Sequence, residues 1–321
     1  MIVVTGAAGF IGSCLAGALN RLGHKDLVLV DDFSSRQKQM NLAGKVFRQK
    51  VHREAFFGWL GQHHAEVSFV FHLGARTNTA ERSKAVFDHL NLNYSMELWK
   101  ACTAYSLPLV YASSAATYGE GEHGYNDNHD HLPRLRPLNP YGHSKHSFDL
   151  RALSSQDSPP FWAGLKFFNV YGPNEYHKGN MASAVFHAWK QIREKGRVRL
   201  FRSHRPGIGH GEQQRDFVYV KDVVDVCTFL MQRQSPPAIY NLGTGRARSF
   251  LELAGSTFAA LGIPPQISFV DTPLPIRGNY QYFTCADTAK LRRAGYNREF
   301  WTLEEGVADY VQHYLRGTNY Y

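Results

Sequence analysis

Hydrophobic positions fall into short runs separated by polar, glycine-containing turns through the first half of the chain. Ile2, Val3 and Val4 form an apolar β-branched run, and Leu15, Ala18, Leu19 and Leu22 follow at three- and four-residue spacing. A strand and then a helix are predicted from that change of period. The alternation recurs. Apolar strands are predicted at 27–30, 67–71, 109–112 and 162–168, with a long helix over 88–104 and another from 141 to about 153. Strands alternating with helices predict an α/β fold, a doubly wound parallel sheet with helices on both faces. Beyond Pro173 short strands mix with helices near 181–195, 222–232, 249–261 and 303–315, which predicts a smaller mixed α/β lobe. Residues 316–321 are expected to fray.

Between the first strand and helix stands Gly6-Ala7-Ala8-Gly9-Phe10-Ile11-Gly12. Gly6 permits a sharp turn, Gly9 lets the backbone approach a pyrophosphate, and Gly12 lets the helix pack closely on the strand. The helix N-terminus then offers free N–H groups to phosphate. This strand–turn–helix unit points to a Rossmann-type dinucleotide site, although the spacing is G-x-x-G-x-x-G. Residues 1–170 are expected to form that domain. Residues 171–321 are expected to be mainly a substrate-binding lobe, interleaved with it. In such sheets ligands lie beyond the carboxyl ends of the strands. Asp31, at the end of the second strand, suits the adenosine ribose hydroxyls of NAD, while Arg36, Lys38 and Arg53 suit the 2′-phosphate of NADP.

Composition narrows the partners. The 321 residues carry a formal charge of +9 and sixteen histidines, but the basic residues are dispersed except between 190 and 215. That favours a basic cleft for a nucleotide diphosphate over nucleic acid. No stretch approaches the ~18 apolar residues of a membrane span, and the N-terminus enters a strand directly. A cytoplasmic protein without membrane partners is expected. Four scattered cysteines, with no C-x-x-C pair, argue against a disulfide scaffold. His123, Asp127, His129, Asp130 and His131 have no metal-ligand spacing, so no metal site is expected.

Tyr141 and Lys145 are four residues apart and share one helix face. A tyrosine, with an ordinary pKa of about 10, is a poor base near neutrality. A neighbouring ammonium and a nicotinamide cation would both favour its phenolate. Such a group can take a proton from an alcohol while hydride leaves the carbon. Ser114, after the strand 109–112, can hydrogen-bond the same oxygen. Taken by itself, Lys178 reads as a solvated or phosphate-binding lysine.

The glycine turn, Ser114, Tyr141 and Lys145 resemble the extended short-chain dehydrogenase/reductase family of NAD(P)-dependent epimerases. The stretches 111–119, 169–173, 177–183, 215–220, 241–246 and 280–281 are similar to its ADP-heptose 6-epimerase branch. The resemblance implies an isomerase of lipopolysaccharide core heptose synthesis, inverting C6 of an ADP-heptose through a transient 6-keto sugar with bound NADP, NAD being possible. It implies Tyr141 and Lys178 as two acid–base groups, assisted by Lys145 and Ser114, and a homo-oligomer, specifically a homopentamer. The cofactor would be lined by Gly6, Gly9, Phe10, Ile11, Gly12, Asp31, Asp32, Lys38, Arg53, Leu73, Gly74, Ala75, Arg76, Thr77, Asn91, Lys145, Val170 and Lys178. The substrate would meet Ser114, Asn169, Asn180, His187, Phe201, Arg215 and Tyr280. Five features depart from the branch. Asp32 replaces Asn, Arg53 replaces Lys, Leu73 replaces Glu and Asn180 replaces Ser, and the basic segment 202–214 is longer. The readings left beside it are another nucleotide-sugar epimerase, such as a UDP-hexose 4-epimerase, and a non-catalytic NADP-binding sensor. A dehydratase needs acids where Ala115 and Ala116 stand.

Overall fold

The computed structural model describes residues 1–78, 81–278 and 280–321, with backbone alone at 275 and 276. Seven parallel strands form the main sheet. They are β1 (Ile2–Thr5), β2 (Leu27–Asp31), β3 (Gln49–His52), β4 (Phe69–His72), β5 (Leu109–Ser114), β6 (Trp162–Phe167) and β10 (Ala238–Leu242), in the order β10-β6-β5-β4-β1-β2-β3. The doubly wound sheet expected from the alternating pattern is therefore present.

Each strand sends alternate residues to opposite faces, and both faces are covered. Ile2, Val4, Leu27, Leu29, Phe69 and Phe71 pack into one core. Val3, Val28, Val30 and Val70 pack into the other. The helices Phe10–Arg21 and Val220–Arg233 cover the first face, and Tyr94–Ala104 and Pro140–Ser154 the second. Each fully buried side chain of this kind stabilises by ~1.5–3 kcal/mol. A charge at Val4, which is 0% exposed, would break the sheet at its centre.

From β1 the chain winds outward to β3, then returns to β4 on the other side of β1. That reversal opens a crevice beyond Thr5 and His72, which are register partners.

The second lobe is built on β7 (Asn169–Tyr171), β8 (Val198–Phe201), β9 (Gln214–Tyr219), β11 (Ala247–Ser249) and β12 (Ile267–Val270). β9 lies between β11 and β7, and β8 pairs with β12. The expected strand 162–168 is β6, ending at Phe167, and a separate strand, β7, starts at Asn169. The expected helix 88–104 has a π-helical first turn, Asp88–Asn93, before Tyr94–Ala104. The expected fraying of 316–321 is overturned at its end. Tyr321 donates its N–H to Asn174 Oδ1 at 2.9 Å, and the Arg21 guanidinium stacks 4.0 Å from its ring.

Candidate functional site

The crevice starts at the glycine turn. Gly6 has φ +67°, and a Cβ there would lie 2.6 Å from the Gly74 backbone. A Cβ on Gly12 would lie 2.2 Å from the Gly6 carbonyl oxygen. The two glycines therefore let β1, the 73–77 segment and the first helix converge. That helix begins at Phe10 with Gly9 as N-cap, without a capping side chain and without an acid in its first turn. Its N–H groups are left for an anion. The turn thus fits the pyrophosphate of a dinucleotide.

Asp31, 6% exposed, accepts the Ala8 N–H at 2.9 Å and its neighbour Asp32's N–H at 2.7 Å, and pairs with Lys38. The carboxylate therefore fastens the glycine turn to the end of β2. Asp32 lies 3.7 Å from Arg53 and is held below the usual carboxylate range, first by its hydrogen bonds from Ser34. On the other side Thr5 Oγ1 accepts the Gly74 N–H, and its hydroxyl meets His72 Nδ1 at 2.7 Å. His72 Nε2 meets Ser95 Oγ at 2.9 Å. Burial pushes this imidazole down to about 3, so it stays neutral.

Leu73, Gly74, Ala75, Arg76 and Thr77 run irregularly from β4 along the crevice. Asn91, brought inward by the π turn, holds them. Its Oδ1 accepts the Arg76 N–H at 2.8 Å, and its Nδ2 donates to the Arg76 carbonyl and to Ser144 Oγ, both at 3.1 Å. Asn91 thus ties the 73–77 loop to the helix carrying Tyr141.

Pro140 occupies the first turn of that helix, and Asn139 caps it by accepting the Gly142 N–H at 2.8 Å. Ser114 Oγ accepts the Ala116 N–H at 3.1 Å and lies near enough to Tyr141 to lower its pKa, so the helix meets the end of β5 here. Lys145 donates to the Ala112 carbonyl at 2.8 Å, and burial lowers it to about 8 against the opposing charge of Asp149. The phenol does not behave as its spacing from Lys145 suggests. Burial raises Tyr141, Ser114 lowers it, and Asp149 raises it further. The ammonium expected to lower it is turned onto a strand carbonyl instead.

Below this pair lies a network that sequence reading missed. Asp149 and Lys166 are both 0% exposed and form an ion pair at 2.6 Å. Asp149 also accepts from Ser113 Oγ at 2.7 Å and Tyr111 at 3.2 Å, while Lys166 donates to Thr117 at 2.7 Å. One signal was available: Asp149 continues the four-residue spacing of Tyr141 and Lys145.

Lys178 sits on the 3-10 turn Tyr176–Met181, its Nζ 5.0 Å from the centre of the Phe10 ring. The structure thus brings it to the glycine turn. Burial lowers its pKa and Glu175 opposes that. His177 meets Asn41 at 3.1 Å, and Asn41 donates to the Ala8 carbonyl at 2.9 Å.

The remaining residues lie toward the second lobe. Asn169 and half-buried Val170 are on β7, where Asn169 Oδ1 accepts from Thr284 at 3.5 Å. Exposed Asn180 accepts from His187 Nε2 through its carbonyl at 3.3 Å. Phe201 and Tyr280 meet edge to face at 5.9 Å. Arg215 stacks between Tyr280 and Phe250 and donates to the Gln214 and Gln281 carbonyls. The 202–214 segment runs beside them: His204 N–H donates to Tyr282 Oη at 3.0 Å, and Arg202 is 3.3 Å from Asp271. In the loop 123–131, Asp127 accepts the Asn241 N–H and His129 the Ile239 N–H.

A parallel sheet with a glycine-lined crevice and a Ser–Tyr–Lys group at its strand ends fits a dinucleotide-dependent enzyme. The chain belongs to the NAD dependent epimerase/dehydratase family, whose sequence model spans residues 2–243. It is 44% identical, over 98% of both chains, to the ADP-L-glycero-D-manno-heptose-6-epimerase of Fusobacterium nucleatum. Among solved structures, the ADP-L-glycero-D-manno-heptose-6-epimerase of Helicobacter pylori superposes with a TM-score of 0.81 at 27% identity, covering 97% of this chain and 95% of that one. The UDP-glucose 4-epimerase of Thermus thermophilus, solved with NAD, gives 0.78 at 26% identity, covering 99% of each chain. Among the described residues no helix is long and apolar enough to cross a membrane.

Proposed function

We propose that this chain interconverts ADP-D-glycero-β-D-manno-heptose and ADP-L-glycero-β-D-manno-heptose by inverting C6. The supporting observation is the seating of Lys178 over Phe10 at the glycine turn, within a fold that carries Tyr141 and Ser114 at the end of β5. The C6–H bond is next to no carbonyl, so its proton is not acidic and simple deprotonation cannot invert the centre. A nicotinamide dinucleotide supplies the needed chemistry by taking a hydride and giving it back. The N-terminal N–H groups of the Phe10–Arg21 helix, Asp31, Lys145 and the 73–77 loop would hold it.

The chain's own part is to orient the sugar and move one proton at the C6 oxygen. Ser114 donates to that oxygen. Tyr141 holds or releases the proton from one side, and Lys178 does so from the other. Two such groups serve both faces without the sugar being released. Arg215, with its planar fork, holds the diphosphate, beside Phe201 and Tyr280. The cofactor is NADP in this reading, with Lys38 and Arg53 as the cations for its 2′-phosphate and NAD as the alternative. A cytoplasmic homopentamer belongs to the same reading.

The test is to offer ADP-heptose and UDP-hexoses to the protein in deuterated water. Conversion of ADP-heptose alone, with no deuterium entering C6, is expected. Turnover of UDP-hexoses alone would select a 4-epimerase, and deuterium at C6 would remove the hydride scheme.

A further inference from the structure

Glu175 is 0% exposed and lies three residues before Lys178, at the head of the same turn. The Lys178 N–H donates to its carbonyl at 2.9 Å. Its carboxylate accepts from the Ser183 N–H at 2.5 Å, the Ser183 hydroxyl at 2.6 Å and the Tyr310 hydroxyl at 3.0 Å. Burial raises this carboxyl above its ordinary range, and the three converging donors oppose that by favouring the ionised form. All three are neutral, and the cation whose charge acts on Glu175 is Lys178.

The other titratable groups named around this pair are neutral or paired, and the Lys45 ammonium beyond Cys14 is held by the Asn41 and Tyr321 carbonyls. Burial pushes the Cys14 thiol up to about 12 and the His177 imidazole down to about 4. Tyr176 and Tyr310 are raised by burial and stay neutral. Lys38 and Asp31 face His177 but are paired with each other. Among the described residues, Glu175 is thus the carboxylate whose charge acts on the amine, through space rather than as an ion pair.

We propose that Glu175 is the positioning residue for Lys178: its buried carboxylate, held by neutral donors, keeps the Lys178 ammonium charged and seated over Phe10 between turnovers. The inference rests on the reading of Lys178 as an acid–base group. In its step an N–H bond of the ammonium breaks and the proton forms the O–H bond of the sugar. A neutral amine remains, and Glu175 is unchanged. Without the carboxylate, burial would strip the proton from the amine before substrate arrived.

The test is competitive labelling of the purified full-length protein with acetic anhydride across pH, read at Lys178 by mass spectrometry. The wild-type amine is expected to be mostly protonated at neutral pH. Glu175→Gln keeps the shape and is expected to label about tenfold faster there, as loss of a nearby buried charge implies. Its alkaline limb of activity should move to lower pH, and Glu175→Asp, which keeps the charge, should restore both. A wild-type amine already neutral at pH 7, which needs no variant to detect, would overturn the proposal. So would a folded Gln variant that labels at the wild-type rate. Full turnover in Lys178→Met would instead sink the catalytic reading and leave the labelling result standing.

Discussion

Two fully buried carboxylates lie beneath the two proposed acid–base groups, and they are satisfied differently. Asp149, under Tyr141, has a dedicated cation in Lys166 at 2.6 Å. Glu175, beside Lys178, is held by two hydroxyls and a backbone N–H. Opposite charges this close act at a distance as a dipole, whose field falls away faster than that of a lone charge. Asp149 accordingly ranks behind burial and Ser114 in setting Tyr141, whereas Glu175 is the group that opposes burial at Lys178. The paired carboxylate fastens β5, β6 and the Pro140–Ser154 helix together. The unpaired one acts on its neighbour's proton.

The sharpest way to break this comparison is to remove the proton carriers. Tyr141→Phe and Lys178→Met should each lower turnover by ~10²–10⁴-fold, the usual worth of an acid–base group, with calorimetric binding of ADP-heptose nearly unchanged. A loss in only one of them would mean that a single group serves both faces of the ketone.

Next comes stability. Lys166→Met leaves Asp149 buried without its cation and should cost ~3–5 kcal/mol in urea unfolding. Replacing Asp149 by Leu as well should recover part of that. Glu175→Gln removes a charge that acts on Lys178 without a close ion pair and keeps neutral hydrogen bonds, so ~1 kcal/mol is expected. Equal losses would erase the distinction between the two sites.

Acid should also separate them. His72, on the Tyr141 side, stays neutral in the fold down to about 3, while the unfolded chain protonates near 6.5. Between those values the unfolded state binds more protons. Stability is therefore complete above pH 6.5 and declines on acidification, by about 2 kcal/mol at pH 5. Glu175 is raised by burial, so its contribution has the opposite sign, present in acid and lost as pH rises. Unfolding midpoints from pH 7.5 to 5 in wild type and His72→Gln check this; an equal slope in both would remove His72 as the cause.

The parts of the site that sequence makes visible are those with local spacing. Gly6, Gly9 and Gly12 sit in one turn, and Tyr141 and Lys145 are one helical turn apart, so each is legible without the fold. Lys166 was not, because a lysine inside an apolar strand shows its meaning only once Asp149 is packed over it from another element. Glu175 was hidden for the same reason: its donors come from residues 183 and 310. The end of the chain was misjudged because its polar, aromatic composition resembles a loose tail, whereas Asn174 and Arg21 supply it with specific partners.

The smallest expected effect concerns the rim of the crevice, which touches the Lys178 turn through Asn41 and His177. Asp32 draws Arg53 to 3.7 Å, at a surface where each side chain is about a third exposed. Such pairs are worth at most ~1 kcal/mol. Asp32→Asn frees the guanidinium and removes one negative charge, so NADP should bind about threefold more tightly while NAD changes little. Titration of the purified protein, stripped of nucleotide, with each dinucleotide reads this directly. Equal gains for both would mean that Arg53 never meets the 2′-phosphate, and the preference for NADP would then have to come from Lys38, whose own partner is Asp31.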